Sequence, residues 1–151
     1  MIKHMKASLK LAALGGVLCA GLLTMKAAEK IEAGPKGGRI LEKTTPRAEF
    51  LVEKDRTVSI HFYDDAAKPL APSDQSVTVI AEPKSGKQKL DFEKKGSALV
   101  STTKLPEGDD YNVVVQFKQK TDGKPQNYRF KLDMSTCGGC RYAEYACTCH
   151  E

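Results

Sequence analysis

The feature that most constrains this chain is an alternation of apolar and polar residues with a period of two, between about residues 38 and 133. Val58, Ile60 and Phe62, for example, alternate with polar side chains. This spacing is typical of β-strands that bury one face and expose the other to water. Similar runs are Ala48/Phe50/Val52, Val77/Val79/Ala81, Leu90/Phe92, Val113/Val115/Phe117 and Tyr128/Phe130/Leu132, with residues 39–43 and 98–102 as shorter candidates.

Turn residues separate these runs at regular intervals. Glycine, proline and aspartate cluster at residues 83–86, 106–109 and 122–125, and these are the residue types that turns require. About seven or eight short strands with this spacing predict an all-β domain, which we expect to be an immunoglobulin-like β-sandwich. A small barrel is the alternative.

The 151 residues divide into four predicted segments. Lysines without acids precede the uncharged stretch 11–25, which is too short for a transmembrane helix and is typical of a secretory signal. We therefore expect a signal peptide over residues 1–28, a flexible leader over 29–37, the sandwich over 38–133 and a cysteine-rich tail over 134–151, outside the sandwich. The protein is predicted to be exported to the periplasm with no transmembrane segment after signal removal; a lipoprotein anchored through Cys19 is the alternative.

Charge argues against a nucleic-acid partner. The formal net charge is +5, but the four lysines among residues 1–28 account for most of it and leave 20 basic against 19 acidic residues. A nucleic-acid binder carries a basic stripe, and that balance leaves none. His61 is expected on the water-facing side of its strand, beside no recognisable nucleophile motif. We therefore predict a protein that is not an enzyme.

The tail carries the residues best suited to chemistry. It contains Cys137, Cys140, Cys147 and Cys149, arranged as two close pairs six residues apart. Two such pairs can place four sulfur atoms in a tetrahedron, as Zn²⁺ prefers, and soft thiolates also suit Cu(I). Met134 and His150 are further candidate ligands for copper.

Two other interpretations of the same cysteines remain open. In an oxidising compartment they can form two disulfides, and crossed pairs between the clusters are favoured because a bridge between Cys147 and Cys149 would be strained. The Cys137-Gly138-Gly139-Cys140 segment can also be a redox-active motif.

Three segments carry a family resemblance. Residues 34–42 (GPKGGRILE), 48–50 (AEF) and 58–64 (VSIHFYD) resemble the N-terminal periplasmic segment of heavy-metal efflux adaptor (membrane-fusion) proteins. The resemblance covers residues 34–82 and implies a periplasmic β-domain associated with metal handling. Relatives with a metal role often carry histidine beside the paired glycines, where this chain has Lys36.

Three functions are therefore expected, in decreasing order. The first is a periplasmic metal-binding or heavy-metal-efflux accessory module that holds Zn or Cu(I) through the tail thiolates, with an envelope protein such as an efflux component as partner. The second is a structural or interaction protein whose tail is stapled by disulfides. The third is a thiol–disulfide oxidoreductase.

Overall fold

The computed structural model describes residues 30–149. The predicted signal peptide over residues 1–28, Cys19 and His150 lie outside these residues. Within residues 30–149 the chain has ten β-strands and one 3₁₀ turn at Glu144–Ala146, with no α-helix. The strands are β1 Arg39–Glu42, β2 Arg47–Val52, β3 Val58–Tyr63, β4 Pro69–Leu70, β5 Ser76–Glu82, β6 Gln88–Leu90, β7 Phe92–Lys95, β8 Ala98–Ser101, β9 Tyr111–Lys118 and β10 Gln126–Leu132.

The strands form two antiparallel sheets, which confirms the predicted fold class. The first sheet has the order β1-β2-β3-β8-β7, with β4 paired to β3, and the second has the order β10-β9-β5-β6. The alternating apolar residues of both sheets face each other. The fully buried large side chains include Phe50, Ile60, Phe62, Val79, Leu90, Val113, Val115, Phe117 and Leu132. Burying each of them stabilises the fold by about 1.5–3 kcal/mol.

One alternating run divides between the sheets. Leu90 ends β6 in the second sheet, whereas Phe92 begins β7 in the first. Between them, the carbonyl of Asp91 accepts a hydrogen bond from the backbone N–H of Thr102 at 2.9 Å. A period of two indicates which face of a strand is apolar but not the sheet to which it belongs. This crossing, together with the two-residue β4, explains why ten strands replace the expected seven or eight.

The leader pairs with the edge strand β1 of the first sheet, and its turn over residues 34–38 covers Glu49 on the outer face. Its backbone bonds to β1, since the N–H of Ile40 donates to the carbonyl of Glu32 at 2.8 Å and Ala33 forms an isolated bridge with Arg39. Beneath it, Glu49 is fully buried although it points away from the core. Several residues of the segment predicted as a flexible leader, 29–37, thus make backbone hydrogen bonds in the structure.

The tail packs against the open side of the sandwich, between β1 and β10. Tyr145 is buried there and contacts the rings of Phe50 and Phe130 at centroid distances of 5.9 and 6.3 Å. The tail therefore contributes to the core, which differs from its expected place outside the sandwich. No helix within residues 30–149 has the length and apolar character needed to span a membrane.

Candidate metal centre

The first cysteine pair lies in a tight turn of the tail. Residues Thr136 and Ala143 form a bridge, and between them the N–H of Cys137 donates to the carbonyl of Tyr142 at 2.8 Å. Arg141 closes the turn by donating its N–H to the carbonyl of Cys137 at 3.1 Å, with a left-handed φ of 64°. The turn therefore places the thiols of Cys137 and Cys140 on the same side.

The second pair follows the 3₁₀ turn, which is anchored to the sandwich. The N–H of Tyr145 donates to the carbonyl of Asp133 at 3.0 Å, and its hydroxyl lies 3.1 Å from the N–H of Val52, which donates to it. Immediately afterwards, the N–H of Cys147 donates to the carbonyl of Glu144 at 3.1 Å. Packing of Tyr145 in the core therefore sets where the second pair meets the first.

The four sulfur atoms form one cluster. No disulfide joins the four cysteines, and their Sγ atoms lie within 4.8 Å of one another. The Sγ of Cys147 is 3.1 Å from that of Cys137 and 3.4 Å from that of Cys140. Zn–S bonds of about 2.3 Å in a tetrahedron separate neighbouring sulfurs by about 3.8 Å. The observed spacing is thus close to that of a four-thiolate metal site.

Backbone N–H groups point at three of the sulfurs. Cys137 Sγ accepts hydrogen bonds from the N–H of Cys140 and of Gly139. The N–H of Tyr142 donates to Cys140 Sγ, and that of Cys149 donates to Cys147 Sγ at 3.3 Å. Such donors stabilise a thiolate over a thiol because the charged form is the better acceptor.

These contacts divide the thiols into two easily ionised and two weakly acidic groups. Hydrogen bonds, the largest from the N–H of Cys140, lower the pKa of Cys137. The N–H of Tyr142 lowers the pKa of Cys140 to about 7. Because it donates to the Cys137 sulfur, Cys147 has its pKa raised to about 12, and the bond with Cys140 raises the pKa of Cys149. Without a bound metal, the four thiols therefore ionise in steps, as expected for close thiols.

The two glycines of the first turn differ in the space around them. A Cβ at Gly139 would lie 3.1 Å from Cys149 Sγ and 3.9 Å from Cys137 Sγ, whereas a Cβ at Gly138 would meet no atom within 4 Å. The absence of a side chain at Gly139 thus makes room for the two cysteine pairs to meet, whereas Gly138 faces open space.

The other predicted ligands do not join this cluster in the described residues. Met134 packs against the sandwich core, where its Sδ accepts a hydrogen bond from Nη1 of Arg56 at 3.5 Å. Arg56 is itself held by the carbonyl of Gly108, to which its Nη2 donates at 2.6 Å. His150 lies beyond residue 149 and is outside the described part of the chain.

A second polar group lies on the outer face of β3. Ser59 donates its hydroxyl proton to Glu53 at 2.6 Å, and its Oγ lies 3.0 Å from Nε2 of His61. Desolvation, followed by the nearby charge of Lys36, lowers the pKa of His61. The carboxyl group contacts the serine and not the histidine, which differs from the order of a hydrolase triad. The alternation places Ser59 and His61 on one face, but only the fold brings Glu53 to them.

The comparisons with known proteins are negative. No protein-family model, curated protein or solved structure matches this chain. Its function is therefore inferred from the geometry of its own residues.

Proposed function

We propose that this protein holds a soft metal ion in its thiol cluster, formed by Cys137, Cys140, Cys147 and Cys149. The observation that carries this proposal is the presence of four Sγ atoms, none of them in a disulfide, within 4.8 Å of one another. Four negative charges so close together repel, and a bound cation removes that repulsion. Thiolates at this spacing are suited to Zn²⁺ and Cu(I).

Charge balance and coordination preference support Zn²⁺ over Cu(I) as the proposed ion. Four thiolates with Zn²⁺ carry a charge of about −2, compared with about −3 for Cu(I), so zinc leaves less charge uncompensated. Arg141, in the turn between the pairs, adds one positive charge to this segment of the chain. Tetrahedral four-sulfur sites are typical of zinc.

Its cellular role is proposed to be that of an exported accessory module in metal handling. The lysine-rich, apolar N-terminus supports export, and the resemblance to efflux adaptor segments supports an envelope protein as partner. The protein contributes the ion-binding tail, and the sandwich provides the rigid body on which that tail is fixed through Tyr145.

The test is metal uptake by the reduced protein. Protein purified without oxygen is titrated with Zn²⁺ against a chromophoric chelator, and with Co²⁺ to record the absorption of tetrahedral thiolate coordination. We expect one ion per chain. Affinity should fall steeply with decreasing pH because protons compete for the sulfurs.

Two variants make this test specific. Cys137→Ser should lower zinc affinity by more than the 10- to 100-fold typical for loss of a group that only positions a ligand. Thr148→Ser, which lies between two cysteines and keeps its hydroxyl, should bind as the wild type does. Failure of the reduced wild type to take up either Zn²⁺ or Cu(I), or two disulfides in protein from the native host, would remove the proposal.

A thiol–disulfide oxidoreductase is the second candidate. Cys140 is half-exposed, has a pKa near 7, and lies 3.4 Å from the Sγ of Cys147. A low pKa with partial exposure is typical of attacking thiolates. Reduction of a substrate disulfide would leave a Cys140–Cys147 bridge. Insulin reduction that is lost in Cys140→Ser would support this function, and lack of turnover by the wild type would exclude it.

A further inference from the structure

We infer that Cys149 is the exchangeable ligand of this site, so that the protein passes its ion to an incoming thiolate instead of retaining it permanently. This inference rests on the proposed metal binding. It adds to that function the class of partner, namely a molecule that presents a thiolate of its own.

The four proposed ligands differ in how deeply they are buried. Cys137 and Cys147 are only 2% and 3% exposed. Cys140 is half-buried and Cys149 is exposed. A competing thiol in solution reaches an exposed ligand more readily than one enclosed by protein. Here one side of the ion would be sealed by protein and the other would face water.

Hydrogen bonding divides them in the same way. Cys137, Cys140 and Cys147 each accept a backbone N–H, which holds the sulfur in place. The hydrogen bonds of the Cys149 sulfur come from side chains, those of the other thiols in the cluster. Once an ion occupies the cluster, those thiol contacts are replaced by metal–sulfur bonds. The Cys149 sulfur is then held mainly by the ion itself.

The approach to the exposed side is open. A Cβ added to Gly138 would meet no atom within 4 Å, and Gly139, which lies against the Cys149 sulfur, has no side chain. Arg141 and Tyr142, which follow Cys140 in the chain, are both exposed. An incoming thiolate therefore reaches the exposed sulfur from solvent, without passing through the sandwich.

The exchange step conserves charge and electrons. The incoming thiolate donates a lone pair to the metal, one metal–sulfur bond forms, and the bond to Cys149 breaks. The released Cys149 thiolate takes a proton from water. The half-exposed Cys140 is the next ligand to be displaced, and the buried pair, Cys137 and Cys147, is the last.

Alkylation of the zinc-loaded protein tests this order. The protein is loaded with one Zn²⁺, treated with limiting iodoacetamide and followed by native mass spectrometry with peptide mapping. We expect the first alkyl group on Cys149, at least about tenfold faster than on either buried cysteine. The singly modified protein should still contain its zinc, because three anchored thiolates remain.

A variant and a thiol probe give an independent measurement. Cys149→Ser should bind zinc with at most about a tenfold weaker affinity, and should release it to a chromophoric chelator at least tenfold faster than the wild type. Glutathione should accelerate release from the wild type in proportion to its concentration. Cys137→Ser serves as the matched variant and should not retain zinc.

The outcomes separate the inference from the proposal on which it rests. A wild type that binds no zinc overturns both. A wild type that binds zinc, but loses it on the first alkylation or is modified equally at all four cysteines, overturns the exchange alone. Equal loss of affinity in Cys149→Ser and Cys137→Ser would also overturn the exchange and leave metal binding intact.

Discussion

Two turns of this molecule use paired glycines to direct backbone N–H groups at an acidic side chain. The leader turn contains Gly37 and Gly38, and the thiol turn contains Gly138 and Gly139. The two turns also touch, since a Cβ on Gly37 would lie 3.4 Å from the ring of Tyr142.

The backbone N–H donors of the leader turn are paired with an acceptor within the protein. The carboxyl group of Glu49 accepts the N–H of Lys36 at 3.0 Å, the N–H of Gly38 at 2.7 Å and the hydroxyl of Tyr63 at 2.7 Å. A Cβ on Gly34 would overlap the Glu49 side chain, so glycine is required for this approach. The acid is completely buried, and nothing remains open to a ligand.

The thiol turn has similar donors but a different acceptor. Its N–H groups point at sulfurs that come from two segments of chain and lie close to one another. The comparison teaches that the donors alone do not make a binding site. A site results where the acceptors converge and one side stays exposed, as at Cys149.

The largest effect is expected from detaching the thiol turn from the sandwich. Tyr145→Ala removes a buried ring that contacts Phe50 and Phe130, and should lower the free energy of unfolding by about 3–5 kcal/mol in urea. Tyr142→Ala, at an exposed position, should change it by no more than about 0.5 kcal/mol. A loss below about 1 kcal/mol for Tyr145→Ala would show that the tail is attached far less firmly than the leader.

The next effect concerns the leader turn. Glu49→Gln replaces one accepting oxygen with an NH₂ group that faces other donors, and should destabilise the protein by about 1–3 kcal/mol without changing zinc uptake. Urea unfolding and zinc titration of one sample measure both. Glu93→Gln, on an exposed edge strand, is the control and should be neutral. If Glu49→Gln also weakened zinc binding, the two turns would be coupled through Tyr142.

A third effect comes from the lowered pKa of Cys140. In the metal-free, reduced protein, its alkylation by iodoacetamide should rise with pH around a midpoint of about 7 and be lost as pH falls below it. At pH 7 about half of this thiol is ionised, against about 3% for an ordinary cysteine of pKa 8.5. Because a more acidic thiol gives a less nucleophilic thiolate, the rate should be about three- to fourfold higher.

Unfolding provides the control for this measurement. In urea the N–H donor of Tyr142 is lost, and the midpoint should return to about 8.5. Without metal Cys140 is therefore expected to react first, whereas with zinc the first to react is Cys149. A folded-state midpoint above 8 would contradict the assigned hydrogen bond.

The smallest effect distinguishes the two glycines of the thiol turn. Gly139→Ala places a Cβ 3.1 Å from the Cys149 sulfur, which must move by a few tenths of an ångström. Zinc affinity should fall by about fivefold, below the 10- to 100-fold typical when a group that positions a metal ligand is lost. Gly138→Ala meets no atom and should bind zinc as the wild type does. Chelator competition measures both affinities. Equal affinities would mean that glycine at position 139 is not needed for the two cysteine pairs to meet around the ion.

Much of the fold was predictable from the local sequence pattern, and the predictions that were wrong share one cause. The alternation correctly identified β3, with Val58, Ile60 and Phe62 in the core. It also placed Glu49 and Ser59 on the outward side, where water was expected. Both are buried, because the leader and neighbouring side chains cover that face. Alternation describes one strand and carries no information about what a distant segment lays over it.

The candidate site shows the same division. Four cysteines within thirteen residues are close in space in almost any compact arrangement, so their spacing was enough to predict a shared cluster. Their inequality was not predictable. Cys137 and Cys147 are buried, whereas Cys149 is exposed. This difference depends on Tyr145, which packs in the core against Phe50, a residue far away in sequence.

The amino-acid sequence by itself determined the all-β class, the apolar face of most strands and the chemistry of the tail, because these depend on neighbours within a few residues. Tertiary structure alone decided that Glu49 would be enclosed, that Leu90 and Phe92 would belong to different sheets, and which thiol would face water. Each of these depends on contacts between segments far apart in the chain. Such contacts form only because burying apolar surface offsets the entropy lost in closing long loops.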